Sequence, residues 1–175
     1  VYYFSAYADL CKMGQLQVGE PMNVVVPTGN FGNILAGYYA KHMGLPIKTM
    51  VCASNTNNVL TDFLKTGTYD RNRDFYATTS PSMDILISSN LERLLYHMSG
   101  ESDAAVRGWM TQLAENGKYT VEPEVMAKIQ NEFAAVYCDE AAVADTIHKT
   151  YTDQNYLCDT HTAVAVKVYR DYVAQ

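Results

Sequence analysis

The 175-residue chain carries 13 basic and 19 acidic residues, for a formal net charge of −6. Scattered basic residues in an acidic chain argue against a nucleic-acid partner, because phosphate backbones are gripped by clustered Lys and Arg. With 48% hydrophobic and 18% charged residues, the composition excludes a disordered chain and suits one sizeable domain or a large piece of a bigger protein.

No apolar run reaches membrane-spanning length and no signal peptide is visible, so no membrane partner is expected. Cys11, Cys52, Cys138 and Cys158 are far apart and form no C-x-x-C pair. In a chain with this much apolar sequence they read as reduced thiols of a cytoplasmic protein.

The chain opens in a helical pattern, Val1 to Met13, bearing Tyr2, Tyr3, Phe4 and Tyr7, with no capping residue ahead of it. Such an abrupt start, without an initiator Met, reads as a piece of a longer protein. Asn23 to Val26 is a short apolar strand of the kind buried on both faces of a parallel sheet. A helix follows over Asn33 to Met43, with Lys41 and His42 in its last turn, Gly44 just past its end and Pro46 beyond. Cations suit the negative end of the helix dipole, and Gly suits the left-handed closing position. Ile47 to Ala53 is a second strand, which completes a strand–helix–strand unit and implies a parallel crossover.

Val59 to Lys65 reads as a third helix, closed by Gly67. The pair Ser89 and Glu92 has capping-box spacing ahead of a helix that ends at Gly100. From Ser102 to Tyr151 the pattern gives three helices and no strand: Asp103–Asn116, Glu122–Ala134 and Glu140–Thr150. Pro123 suits a first turn and Asp139 a cap. Trp109 and Met110 read as packing. A last helix is capped by Asp159 or Thr160 and carries Val164, Val168 and Tyr172 on one stripe. The expected fold class is α/β, a parallel sheet with flanking helices plus an α-helical segment. Residues 1–100 form the α/β part, 101–155 the helical segment and 156–175 a return helix. A parallel sheet cut from its neighbours leaves open edges, so a homodimer or another covering chain is expected.

The stretch between the first strand and its helix, "PTGNFGN" from Pro27 to Asn33, is where chemistry enters. A helix N-terminus offers unsatisfied N–H groups and partial positive charge, which together favour an anion. Gly29 and Gly32 permit close backbone approach and positive φ, and Asn30 and Asn33 add side-chain donors or a cap. The loop also sits at the carboxyl edge of the sheet, where open α/β proteins bind ligands. It lacks the G-K-[ST] of a Walker loop and the first G-x-G of a dinucleotide loop. It contains no Lys or Arg. An anion cradle and an ordinary strand–helix turn both account for these residues.

Longer motifs separate the two. "PTGNFGNILAGYYAKHMGLPI" resembles the phosphate-cup segment of the threonine synthases, pyridoxal-phosphate enzymes of the tryptophan-synthase-like fold. The resemblance continues through "ASNTNNVLTDFLKTGTYD" and "SPSMDILISSNLERLLY". It returns in "YLCDTHTAVAV", where Thr160 stands in place of the family's usual Pro. It implies that Gly29, Asn30, Phe31, Gly32 and Asn33 wrap the phosphate of pyridoxal phosphate, chiefly through their amides. It further implies a parent lyase of threonine biosynthesis that converts O-phosphohomoserine and water to threonine and phosphate. None of the chain's lysines lies in a context like that of the cofactor-bearing lysine, and no residue is assigned to catalysis. The lysine is expected in N-terminal segments of the same enzyme outside these residues, so the chain alone is not expected to catalyse.

Other candidates compete with plainer roles. His161, in a capped turn, can be drawn as a general base, but a structural role at the start of the last helix is preferred. His42, His97 and His148 fall near helix ends, and no spacing suggests a metal site. Ser54, Asn55 and Asn57 follow the second strand and either cap the next helix or line the cleft. Ser82, Ser88 and Ser89 either face a phosphate or serve a turn and capping box. Alternatives to a threonine synthase are another enzyme of the same fold with a different elimination or replacement reaction, or a non-catalytic phosphate-binding module.

Overall fold

A computed structural model describes residues 1–174. Three parallel strands form its centre in the order β1-β2-β5: β1 (Met22–Pro27), β2 (Ile47–Ser54) and β5 (Phe133–Tyr137). Val26 pairs with Cys52, and Cys52 with Ala135, so the central strand is held on both sides. Around them run α1 (Tyr2–Lys12), α2 (Gly32–His42), α3 (Val59–Thr66), α4 (Leu91–Met98), α5 (Asp103–Asn116), α6 (Pro123–Glu132), α7 (Glu140–Gln154) and α8 (Thr160–Val173).

The period of two along a strand divides the apolar residues between two cores. On one face Met50 and Cys52 of β2, Val26 of β1 and Phe133 and Ala135 of β5 pack with α2, α3, α4 and α6. On the other, Val51 and Ala53 of β2 pack with Val143 of α7 and with Ala163, Val164 and Val168 of α8. The sheet is thus covered on both faces, which explains why its strands read as continuous apolar runs.

Two regions depart from the sequence reading. The stretch expected to be all-helical, 101–155, contains two strands. Instead of running to Ala134, the helix there stops at Glu132, and Phe133–Tyr137 turns straight into β5. "FAAVY" carries apolar residues for both faces, so no alternation marks it as a strand. The free edge of β2 decides its conformation. The second strand, β4 (Lys118–Thr120), pairs antiparallel with β3 (Thr68–Asp70), and the rings of Tyr69 and Tyr119 stack at 5.4 Å. Both strands follow a left-handed helix-closing glycine, Gly67 or Gly117, in the matching motifs "GTYD" and "GKYT".

The capping box is not formed either. The residue before α4 is Asn90 rather than Ser89, and it makes no side-chain cap bond; its Nδ2 donates to the Asn30 carbonyl. Asp139 and Asp159 do cap α7 and α8, accepting from Ala142 N–H and from His161 and Thr162 N–H respectively. Trp109 is buried. All four cysteines are free, and burial pushes the Cys52 thiol up to about 12. Among the described residues no helix is long and apolar enough to cross a membrane.

Candidate anion-binding site

At the carboxyl ends of β1 and β2 three segments meet: the loop 27–33, a strap at residues 76–84 and the start of α8. The loop is shaped from behind. Ser88 Oγ donates to the Gly29 carbonyl at 2.8 Å, and Asn90 Nδ2 and N–H donate to the Asn30 carbonyl at 2.9 and 3.2 Å. Tyr3 OH donates to the Asn33 carbonyl at 3.1 Å. With the Gly29 and Asn30 carbonyls engaged, no chain group among the described residues accepts from the N–H of Gly29, Asn30 or Phe31. Gly32 and Asn33 add the first-turn amides of α2, which have no partner within a helix. These residues, with Pro27, Thr28 and Ser82, line a pocket of about 250 Å³ that contains no lysine or arginine.

The turn is made by an unexpected residue. Neither Gly29 nor Gly32 adopts positive φ; Phe31 does, at φ 62° and ψ 7°. A non-glycine residue there is strained, and surrounding structure must hold it. The holding is visible: Phe31 is 1% exposed, and its ring packs 5.7 Å from that of Phe133 on β5. Gly29 is needed for proximity, since a Cβ there would lie 2.5 Å from the Ser82 carbonyl oxygen. At Gly32 a Cβ would meet only the Asn90 amide, at 3.4 Å.

The strap is fastened by a half-buried polar cluster that sequence reasoning missed. Asp84 accepts from Thr78 N–H (2.8 Å), Thr78 Oγ (2.7 Å), Asn55 Nδ2 (2.8 Å) and Asn57 Nδ2 (3.0 Å). Burial alone raises the pKa of its carboxyl, but these donors outweigh burial and hold it below the ordinary carboxylate value. Asn55 and Asn57 therefore brace the strap. Both are buried, and neither caps α3, whose N-cap is Asn58. Ser54 is buried as well, bonded to Thr61. The only signal in the sequence was a run of Asn before a helix, and an isolated Asp 29 residues after Asn55 has no local pattern.

Helix α8 ties the strap's other side. Thr160 Oγ donates to the Thr79 carbonyl at 2.7 Å, and Glu140 of α7 accepts from Thr79 N–H at 3.0 Å. His161 Nε2 accepts from Ser82 N–H at 3.3 Å, while its Nδ1 lies 3.3 Å from Asp159. His161 is accordingly a structural acceptor. His97 bonds Tyr39 and His42 packs on Tyr38, both away from the loop. Of the three serines considered, Ser82 lines the pocket, Ser88 supports the loop from behind and Ser89 is exposed.

Fold and site together define a doubly covered α/β layer with a loop of unpartnered backbone amides at the carboxyl edge of its sheet. Comparison with known proteins narrows that class. No protein-family model matches the chain. The human protein threonine synthase-like 1 is 47% identical over 174 residues, which is 99% of this chain and 23% of that protein. Threonine synthase of Saccharomyces cerevisiae is 42% identical over 178 residues, 94% of this chain and 34% of that protein. The crystal structure of threonine synthase from Brucella melitensis with pyridoxal phosphate bound superposes with a TM-score of 0.90 at 42% identity. That match covers 97% of this chain and 35% of that one. Over nearly its whole length, then, the chain is homologous to one segment of the threonine synthases and threonine synthase-like proteins. It spans between about a quarter and a third of the length of these relatives.

Proposed function

We propose that Gly29, Asn30, Phe31, Gly32 and Asn33 hold the phosphate of pyridoxal phosphate, and that the chain is the phosphate-binding portion of a threonine synthase. The observation that carries this is the loop's orientation: the Gly29 and Asn30 carbonyls are tied back by Ser88 and Asn90, and free amides line the pocket. A phosphate dianion fits such a cradle, because several N–H groups and a helix N-terminus together offset its charge. The absence of a cation from the pocket lining assigns the binding to the backbone. Homology to an enzyme crystallised with this cofactor supports the same reading.

Bound, the cofactor supplies an electron sink for carbanion chemistry. The part of these residues is to bind and orient it. Buried Phe31 keeps the loop from flattening, and the strap fixes the pocket wall at Gly29. The reaction proposed for the whole enzyme is conversion of O-phosphohomoserine and water to threonine and phosphate. Its cofactor-bearing lysine is proposed to lie in the part of the relatives that this chain does not span, so the chain alone has no activity. Among the described residues strands β1 and β5 each pair on one side only, and Val1, Tyr2 and Met43 are exposed. That supports a covering partner, either the rest of the enzyme or a second copy of the chain. The four free cysteines support a reducing, cytoplasmic setting.

A second reading keeps the cradle and changes the reaction. Identity to proteins named threonine synthase-like, 47–48%, exceeds the 37–42% to those named threonine synthase. Another elimination or replacement on a phosphorylated amino acid is the form it takes.

Titrating the isotope-labelled chain with pyridoxal phosphate, and separately with pyridoxal, tests the cradle. The phosphorylated form is expected to shift the amide signals of Gly29 to Asn33, and pyridoxal to leave them in place. Borohydride added afterwards should leave no stoichiometric adduct at any one lysine. Shifts confined to other residues would remove the assignment.

A further inference from the structure

Resting on the phosphate reading of the loop, we infer that the Ser82 hydroxyl is a further ligand of the bound anion and that His161 is its positioning residue. Ser82 lies nearly fifty residues beyond the loop, yet it lines the same pocket as Gly29 to Asn33. Its carbonyl passes so close to Gly29 that a Cβ there would meet it at 2.5 Å. The neighbouring hydroxyls are all engaged. Ser80 Oγ takes Asn55 Nδ2 at 3.0 Å, Thr28 Oγ donates to the Val26 carbonyl at 2.7 Å and Ser88 Oγ to the Gly29 carbonyl at 2.8 Å. Ser82 is exposed at the pocket wall, and its Oγ has no partner among the described residues, so it is free to bond a bound anion. A serine hydroxyl donates one hydrogen bond, and a donor beside five amides suits the remaining face of a tetrahedral anion.

The strap is tied by hydrogen bonds on both sides of this point. Ser82 N–H donates to His161 Nε2 at 3.3 Å, and Asp159 beside Nδ1 orients the ring from the far side. Thr160 holds Thr79 three residues earlier, and Asp84 gathers Thr78, Asn55 and Asn57 two residues later. His161 therefore fixes the backbone that carries Ser82 at the pocket wall, and it does so by accepting a hydrogen bond rather than by touching the anion.

Inorganic phosphate titrated into the isotope-labelled chain, read at the amides of Gly29 to Asn33, gives the test. Ser82→Ala is expected to weaken phosphate roughly tenfold, the scale of one hydrogen bond to a charged acceptor, and Ser82→Thr, which keeps the hydroxyl, to bind as wild type. His161→Ala is expected to weaken phosphate severalfold. His161→Gln, whose Oε1 accepts from Ser82 N–H, is expected to restore it, whereas a role in packing alone predicts no difference between the two. Near-ultraviolet circular dichroism checks that each variant is folded. Unchanged affinity in Ser82→Ala overturns the ligand assignment while leaving the cradle intact. Equal affinity in both His161 variants overturns the positioning role. A wild-type loop whose amides ignore phosphate overturns the cradle and this inference together.

Discussion

Gly29→Ala tests whether the loop and strap are packed as tightly as the geometry states. The added Cβ falls 2.5 Å from the Ser82 carbonyl oxygen, 3.2 Å from Met83 Cα and 3.4 Å from the Ser82 carbonyl carbon. All three are backbone atoms, so no side chain can rotate away. A normal carbon–oxygen contact begins near 3.3 Å, which requires a retreat of about 0.8 Å by one segment or the other. The strap resists through His161, Thr160, Glu140 and the Asp84 cluster, and the loop through Ser88 and Asn90. Overpacking of this kind costs about 1–3 kcal/mol. For a chain of this size that lowers the melting temperature by roughly 3–10 °C. Urea unfolding followed by circular dichroism measures it, and phosphate affinity should fall as well, because displacing the strap moves Ser82. Gly108→Ala is the control: it is a helical glycine with nothing within 4 Å. There the substitution should stabilise by about 0.5–1 kcal/mol. If Gly29→Ala unfolds at the wild-type urea concentration, the close approach of loop and strap is wrong.

The left-handed Phe31 inverts a familiar ranking. Removing its buried ring costs stability in either case, but Phe31→Gly should be about 1 kcal/mol more stable than Phe31→Ala by urea unfolding, because only glycine relaxes at φ 62°. Asp84 makes stability depend on acid. Its folded carboxyl titrates below the ordinary value, so its contribution is complete above that value and is lost as pH falls towards the folded pKa. Between pH 5 and 2.5 the urea midpoint of wild type should therefore fall more steeply than that of Asp84→Asn, and parallel slopes would refute the cluster. The buried Cys52 thiol, pushed up to about 12, should resist iodoacetamide in the native chain and react only on unfolding, as mass spectrometry of labelled peptides reports.

Some of this architecture was legible from local sequence because its causes are local. The β1–α2–β2 unit appeared as an apolar run, a helical stripe and Gly44 beyond the helix end. Asp139 and Asp159 each cap a helix a residue away, and that signal lies within four positions of sequence. The loop motif pointed to an anion for the same reason: a helix N-terminus carries its unsatisfied amides wherever it is placed. Glycine offered the left-handed geometry, but Phe31 takes it, held by Phe133 about a hundred residues later in the chain. The expected capping box is absent because the helix starts one residue later, after Asn90, whose Nδ2 bonds to Asn30 sixty residues earlier.

By itself, then, the sequence determined the α/β class, the strand–loop–helix around Gly29 to Asn33 and, through its longer motifs, the kinship with threonine synthases. Tertiary structure alone decided that "FAAVY" is a strand, that Asn55 and Asn57 hold Asp84 and that Ser82 and His161 stand beside the loop. The physical reason is the range of the interactions. Caps, turns and periodicity are set by neighbours within one or two turns. An open strand edge, a half-buried carboxylate held by donors and a glycine against a distant carbonyl take their meaning only when remote segments meet.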